Sequence, residues 1–252
     1  MIGLDRADGV WTVTLDRPEK ANALTEDMLR RLAEIAEEAQ EARAFVLTGT
    51  GPVFSAGADL EAARAGLARS PLWERLSGAI AALPCVSIAA LNGTAAGGCM
   101  GMVLACDLVV AAETAKFGHP AGRDLGIPPT VFLWPMLIGM KKTREFLYTA
   151  RLFSAAEAER LGLVNQVVPL STLDATVDAL AADIARTPVN NLAILKQATS
   201  RFYENMGLFA SGDQAAELDA VFHQSETFVS FFARAAEDGV QAALAARRKR
   251  FG

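Results

Sequence analysis

Val86-Ser-Ile-Ala-Ala-Leu-Asn-Gly-Thr-Ala-Ala-Gly-Gly-Cys-Met-Gly-Met-Val-Leu-Ala-Cys106 is the stretch whose reading decides the fold. It belongs to a run from Leu76 to Cys106 that holds no charged residue. By length alone such a run could cross a membrane. Pro84, Asn92 and the glycines at 93, 97, 98 and 101 cut it into shorter pieces. What remains is a buried strand over Val86–Leu91, a glycine turn, and a buried helix over Gly98–Ala105.

The pattern has a counterpart upstream. Ala44-Phe-Val-Leu-Thr48 reads as a strand, Gly49-Thr-Gly-Pro52 as a turn, and Ser55-Ala-Gly-Ala-Asp59 as a loop leading into a helix. Before it, Val10–Leu15 alternates like a half-buried strand, and Asp16–Asn22 is a polar loop. Thr25 is positioned to cap a helix whose apolar positions are Met28, Leu29, Leu32, Ile35, Ala36 and Ala39. Downstream, short strands are predicted over 108–112 and 115–118, and helices through much of 130–160. Ser154-x-x-Glu157 reads as a capping box and 163–168 as a strand. The rest reads as helix: 172–186, 189–203, 213–233, and 237 to the end. Strands alternating with helices, followed by helices alone, predict an α/β core over 1–190 and an α-helical region over 191–252.

Composition narrows the function classes. The 252 residues are 52% hydrophobic and 21% charged, with a net charge of −5. A chain of this size is enough for one large domain with a proper core, or for a core plus a small appended subdomain. The acidic balance argues against nucleic-acid binding, and the basic run Arg247-Arg-Lys-Arg250 reads better as the last turn of a helix or a phosphate contact. No membrane role is expected. Cys85, Cys99 and Cys106 are odd in number and lie in apolar surroundings, without a C-x-x-C spacing. They read as buried free thiols in a reducing cytoplasm. Asp5, Arg6 and Asp8 leave no room for the apolar centre of a secretory signal. No metal-ligand spacing is present, and Gly97-Gly-Cys-Met-Gly101 lacks the pattern of a dinucleotide-binding turn.

Two glycine turns carry the chemistry: Phe54-Ser-Ala-Gly-Ala-Asp-Leu60 and Asn92-Gly-Thr-Ala-Ala-Gly-Gly-Cys99. Each follows a predicted strand and opens a predicted helix. Glycine lets backbone approach a ligand closely, and the first turn of a helix has unpaired N–H groups. Two such turns converging can offer two N–H donors to one oxygen, which is how an oxyanion is stabilised. Taken from the residues alone, two ordinary strand-to-helix turns fit as well. Gly97-x-Cys99-x-Gly101 also has the outline of a nucleophile elbow, for which only His119 or His223 could act as base.

These turns, together with Arg17-Pro-Glu-Lys-Ala-Asn-Ala-Leu24 and Ala105-Cys-Asp107, closely resemble the signatures of the crotonase (enoyl-CoA hydratase/isomerase) family. Ala115-Lys-Phe117, Leu161-Gly-Leu-Val164 and Arg247-Arg-Lys-Arg-Phe251 extend the resemblance over nearly the whole chain. It implies a Clp-protease-like spiral of ββα units and a helical C-terminal region that forms a homotrimer or hexamer. It implies a coenzyme A thioester as substrate, with no covalently bound cofactor. By position, the two oxyanion amides fall on Ala58 and Gly98. Lys20, Ala21, Ala23, Ala56, Asp59 and Leu60 fall where relatives hold adenine and pantetheine, and Lys20 and Lys249 become phosphate partners.

The resemblance fails at one place. Family hydratases use two glutamates as acid and base. Their positions are occupied here by Gly101 and Ala121, which cannot move a proton. Ordinary hydration is therefore not expected, and an isomerase-type reaction through a thioester enolate is. The alternative is a homologue that binds acyl-CoA without catalysis. The remaining candidates for proton transfer are Asp124 and His119, in a segment about one residue longer than the family's usual one. Trp134 and Met100 read as core or acyl-pocket lining.

Overall fold

The computed structural model describes residues 1–63, 71–123, 125–127 and 130–251, and the side chains of all of these except 62, 63, 208, 209, 213 and 251. The chain opens with a hairpin, β1 (Ile2–Ala7) and β2 (Val10–Leu15), joined through Asp8 and Gly9 in left-handed conformations. Strand β1 is absent from the sequence reading because it is an edge strand. Its first three residues are half-buried and its last three exposed, so it shows no two-residue alternation. Helix α1 (Glu26–Glu38) starts where Thr25 accepts the Met28 N–H at 3.3 Å, and its predicted apolar face is buried.

The core repeats a two-strand unit. Strands β3 (Ala44–Gly49) and β4 (Val53–Ser55) lead into α2 (Leu60–Ala63) and α3 (Leu72–Ala81). Strands β5 (Val86–Leu91) and β6 (Thr94–Ala96) lead into α4 (Met100–Ala105). Strands β7 (Leu108–Ala112) and β8 (Lys116–Gly118) lead into α5 (Leu133–Thr149). The first strand of each pair joins a six-stranded sheet of order β1-β2-β3-β5-β7-β10. The second joins a four-stranded sheet of order β4-β6-β8-β9. Here β9 is Phe153–Ser154 and β10 is Gln166–Val168, with α6 (Ala155–Arg160) between them. Each unit thus adds one strand to each sheet, and the chain winds as the spiral of ββα units that the resemblance implies. Gly93 shows why the corner between the paired strands needs glycine. A Cβ there would lie 2.1 Å from the Pro52 carbonyl oxygen of the preceding unit's corner.

Five helices finish the chain. Helix α7 (Leu173–Ile184) covers the outer face of the large sheet, packing Leu173, Val177 and Ala181 among Ala44, Val46, Ile88 and Val110. Helix α8 (Val189–Asn205) is tied down by Lys196, whose Nζ lies 2.8 Å from Asp107 and 3.4 Å from the Cys85 carbonyl. Beyond it come α9 (Leu208–Phe222), α10 (Glu226–Glu237) and α11 (Val240–Phe251). The predicted helix over 213–233 is in fact two. Ser225 takes an extended conformation and accepts the Phe228 N–H at 3.3 Å, which starts α10 in a new direction. Phe231, Ala235, Val240 and Ala243 then form a small core of their own against Leu60 and Leu125. Two further corrections are local. Only 166–168 of the predicted strand is extended, because residues up to Leu163 close the end of α6 over Gly162 at φ +80°. Ser154 caps the Glu157 N–H, but the Glu157 carboxylate turns to Arg151 at 2.7 Å, so this capping box is half formed. Among the described residues no helix is long and apolar enough to cross a membrane.

Candidate active site

One wall of the site is backbone, and three short motifs build it. Asn22, buried and left-handed at φ +51°, accepts the Arg17 N–H through its side-chain oxygen. Its amide nitrogen donates to the Thr50 and Val53 carbonyls at 2.9 and 2.8 Å. Ser55 donates to the Asn22 carbonyl at 2.8 Å and accepts the Gly57 N–H at 3.1 Å. The Leu24 N–H then donates to the Gly57 carbonyl, and the Asp59 N–H to the Leu24 carbonyl, as one rung of a parallel ladder. In such a rung the groups of residues 57 and 59 face Leu24, so the N–H of Ala58 between them points the other way. Gly57 has φ +89°, and a Cβ on it would lie 2.7 Å from the Ala96 oxygen and 2.8 Å from the Gly98 nitrogen. The two glycine turns therefore meet backbone to backbone. The Gly98 N–H is one of the free donors at the helical start over Gly97–Cys99. Ala58 and Gly98 line one cavity, and among the described residues no carbonyl takes either amide. The Trp73 ring covers the second turn so closely that a Cβ at Gly98 would lie 2.8 Å from it.

The cavity measures about 810 Å³, within the range of small-molecule sites. Its other wall is made of side chains from distant elements. Glu74 comes from α3, Asp219 from α9, His223 from the residue that ends α9, and His119 and Ala121 from the segment after β8. The Asp219 carboxylate accepts the Ile127 N–H at 2.7 Å and lies 3.3 Å from His223 Nε2. His119 is buried, with Nε2 3.3 Å from the Gly126 carbonyl and Nδ1 unpartnered among the described residues. Burial pushes its pKa down against the pull of the Gly97 and Gly126 carbonyls, so the imidazole is neutral at neutral pH. Burial pushes Asp219 above the usual carboxylate range, opposed by the Ile127 N–H and by His223. Glu74 stands at the rim, open to solvent on one side. The surrounding protein raises its pKa, and the Asp219 charge raises it further.

Residues 5–240 match the family model described as enoyl-CoA hydratase/isomerase. The chain belongs to this family. A Bacillus subtilis protein with the provisional name enoyl-CoA hydratase/isomerase YngF is 39% identical over 78% of this chain and 78% of its own. An Arthrobacter protein named 4-chlorobenzoyl coenzyme A dehalogenase-2 is 33% identical over 77% of this chain and 76% of its own. The crystal structure of an enoyl-CoA hydratase/isomerase from Xanthobacter autotrophicus Py2 superposes with a TM-score of 0.89 at 31% identity, covering 100% of this chain and 98% of that one. This chain is thus an acyl-CoA enzyme of the crotonase type, and its relatives carry the names of more than one reaction.

Against that family the site divides into what is present and what is replaced. Lys20, Ala23, Ala56, Asp59 and Leu60 line the cavity, while Ala21 lies behind them with its carbonyl on the Ala56 N–H. Lys20 lies 3.7 Å from Glu61, and Asp59 is held by Arg17 at 2.6 Å. Lys249 is exposed and does not line the cavity; Arg247, which donates to the Pro120 carbonyl at 2.7 Å, does. Ala121 lines the cavity and Gly101 is buried in α4, so neither hydratase glutamate has a substitute at its own position. Asp124 lies outside the described residues. Trp134 and Met100 are fully buried core. Cys99 is wholly buried, its thiol on the Ser55 and Ala96 carbonyls and its pKa pushed up to about 12 by burial, so it is not a nucleophile. Glu74 and Asp219 are the site residues that sequence reasoning does not reach. Each is an acid on a helix with no motif around it, and only the packing of that helix brings it to the cavity.

Proposed function

We propose that this crotonase-family enzyme binds a coenzyme A thioester with its carbonyl oxygen between the Ala58 and Gly98 N–H groups, and shifts a double bond through the thioester enolate. The observation that carries this is the pair of amides facing one cavity without a protein acceptor, where Gly101 and Ala121 leave hydration without its two glutamates. Two backbone donors at such a spot stabilise the charge that develops on the thioester oxygen when a neighbouring C–H is ionised. An isomerisation needs only that enolate and a group to move one proton. Hydration needs, in addition, an activated water. Coenzyme A arrives as part of the substrate, with no covalently bound cofactor. The residues from Lys20 to Leu60 on the cavity wall hold its adenine and pantetheine, and Arg247 is better placed than Lys249 to meet its phosphates. His119, neutral and tied to Gly126, supports the loop beside the acyl group.

The assembly is a homotrimer or hexamer in the cytoplasm. Apolar surface supports association, though not through the full set of C-terminal phenylalanines: Phe228 and Phe231 are buried within the chain. Exposed apolar residues of the C-terminal helices include Ile194, Leu195 and Phe202 of α8, Met206 just after it, Leu218 and Val221 of α9, and Val229 of α10. Light scattering showing monomer alone over a wide concentration range would refute the assembly. The test of the reaction is α-proton exchange in deuterated buffer with butyryl-CoA and conversion of 3-enoyl-CoA to 2-enoyl-CoA. Tight acyl-CoA binding with neither activity would make this chain a non-catalytic acyl-CoA-binding homologue.

A further inference from the structure

We propose that Asp219, held by Ile127 and His223 and faced by Glu74, is the group that moves the proton in this site. The inference rests on the enolate reading above and supplies the acid–base group that the reading lacks. The geometry behind it is a chain of short contacts from one wall of the cavity to the other. Trp73, next to Glu74 in α3, lies directly on Gly98 of the backbone wall. His119 binds the Gly126 carbonyl, and the Cα of the same glycine faces Asp219 and His223. A Cβ on Gly126 would lie 3.3 Å from Asp219 Oδ1 and 3.5 Å from His223 Nε2. Gly126, at φ +144°, thus lets the carboxylate approach the loop that contains the lost glutamate position, Ala121.

Among the described residues four carboxylates line the cavity, and they are not equivalent. Asp59 is neutralised by Arg17 and Glu61 lies near Lys20. Glu74 and Asp219 line the cavity, and among the described residues neither forms an ion pair with a lysine or arginine. Asp219 is oriented on both oxygens by the Ile127 N–H at 2.7 Å and His223 at 3.3 Å, as a proton-transfer group requires, whereas the two oxygens of Asp59 are taken by Arg17 and the Glu61 N–H. The step is balanced within substrate and protein. The Asp219 carboxylate takes a proton from C2 of a 3-enoyl thioester, and that C–H electron pair passes into the dienolate, with its charge on the oxygen at Ala58 and Gly98. The dienolate then collapses, the double bond lies between C2 and C3, and the Asp219 carboxyl returns its proton to C4. No water, oxidant or metal is consumed. Glu74 is the flanking carboxyl, and His223 is a positioning residue.

The experiment measures α-proton exchange and 3-enoyl-CoA isomerisation for wild type, Asp219→Asn and Glu74→Gln across pH, with acyl-CoA binding alongside. Asp219→Asn keeps an oxygen for the Ile127 N–H and should lose about 10²–10⁴-fold in rate, with binding retained. Asp219→Ala should recover part of its rate when formate is added, which a merely structural role would not give. Should both Asp219 variants fail to fold, Glu74→Gln at the rim carries the test. Among the described residues, the other charged and titratable groups that line the cavity are Glu74, His223, His119, Asp59, Glu61, Lys20 and Arg247. Removing the like charge at 74 should move the pH–rate midpoint down. Unchanged rates in Asp219→Asn, or an unmoved midpoint in Glu74→Gln, overturn the inference and leave the backbone reading intact. A wild type that binds acyl-CoA but exchanges no proton overturns the enolate reading, and the inference with it.

Discussion

The two walls of the cavity are built in opposite ways. One is backbone: residues 22–24, 55–59 and 92–98, stitched by Asn22 and Ser55 and closed by the contact of Gly57 with the Ala96–Gly98 turn. The other is side chain: Glu74, Asp219, His223 and His119, each delivered by a different element or element end. The backbone wall tolerates almost no substitution, since a Cβ at Gly57 or Gly98 meets atoms at 2.7–2.8 Å. The side-chain wall is made of single residues from separate elements, so its chemistry can differ without a change in the glycine turns. A family that keeps the first wall and varies the second can run several reactions on one thioester chemistry, which fits relatives named hydratase, hydratase/isomerase and dehalogenase.

The largest effect expected from this contrast is in the native protein. With Gly101 and Ala121 in place of both glutamates, crotonyl-CoA hydration should run several orders below a competent hydratase, since each lost acid–base group typically accounts for about 10²–10⁴-fold. Restoring Gly101→Glu or Ala121→Glu singly should help little, because paired groups act as a unit. An ordinary hydratase rate in a steady-state assay would break the comparison at its root.

Next comes the backbone wall. Gly57→Ala forces a side chain onto the Gly98 nitrogen at φ +89° and should cost about 10²–10³-fold in α-proton exchange, the usual effect of losing one oxyanion donor. The strain should also cost about 1–3 kcal/mol in denaturant unfolding. Full activity in this variant would show that the converging turns are only a fold device.

The side-chain wall should be read in pH. A base whose pKa is raised by burial is protonated, and silent, at a pH where an ordinary carboxylate works. Proton exchange should therefore rise with pH through a midpoint above the ordinary carboxylate values of about 3.9–4.3, and be lost as pH falls through it. A midpoint within the ordinary range would place the base in solvent rather than at Asp219.

The smallest effect separates the walls by stability. Ser225→Ala removes the cap of α10 and should cost about 1 kcal/mol, a Tm loss of about 2–4 °C for a chain of this size. Ser154→Ala removes a cap of similar strength at the start of α6, none of whose residues lines the cavity. Only Ser225→Ala should also weaken acyl-CoA binding, because α10 packs near Leu60 and Leu125 over the cavity. Equal binding in the two variants would show that this cover is not part of the site.

What the sequence determined by itself is what short-range geometry controls. Glycines 57, 93 and 97 stand where backbone must touch backbone, Thr25 and Ser154 stand at helix starts, and the apolar period of α1 marks its buried face. The missing glutamates are legible for the same reason, since an absent side chain at a motif position needs no structure to be noticed. Tertiary structure alone decided the rest. Strands β4, β6 and β9 have two or three residues each, too few to show a period, and exist because the second sheet pairs them. Phe228 and Phe231 fall within the single helix expected over 213–233, and they are buried because α10 starts anew at Ser225. Glu74 and Asp219 look like solvated acids on helix faces. Only the docking of α3 and α9 brings them to the same cavity, Asp219 partly buried and Glu74 at its rim, and turns two ordinary carboxylates into candidates for moving a proton.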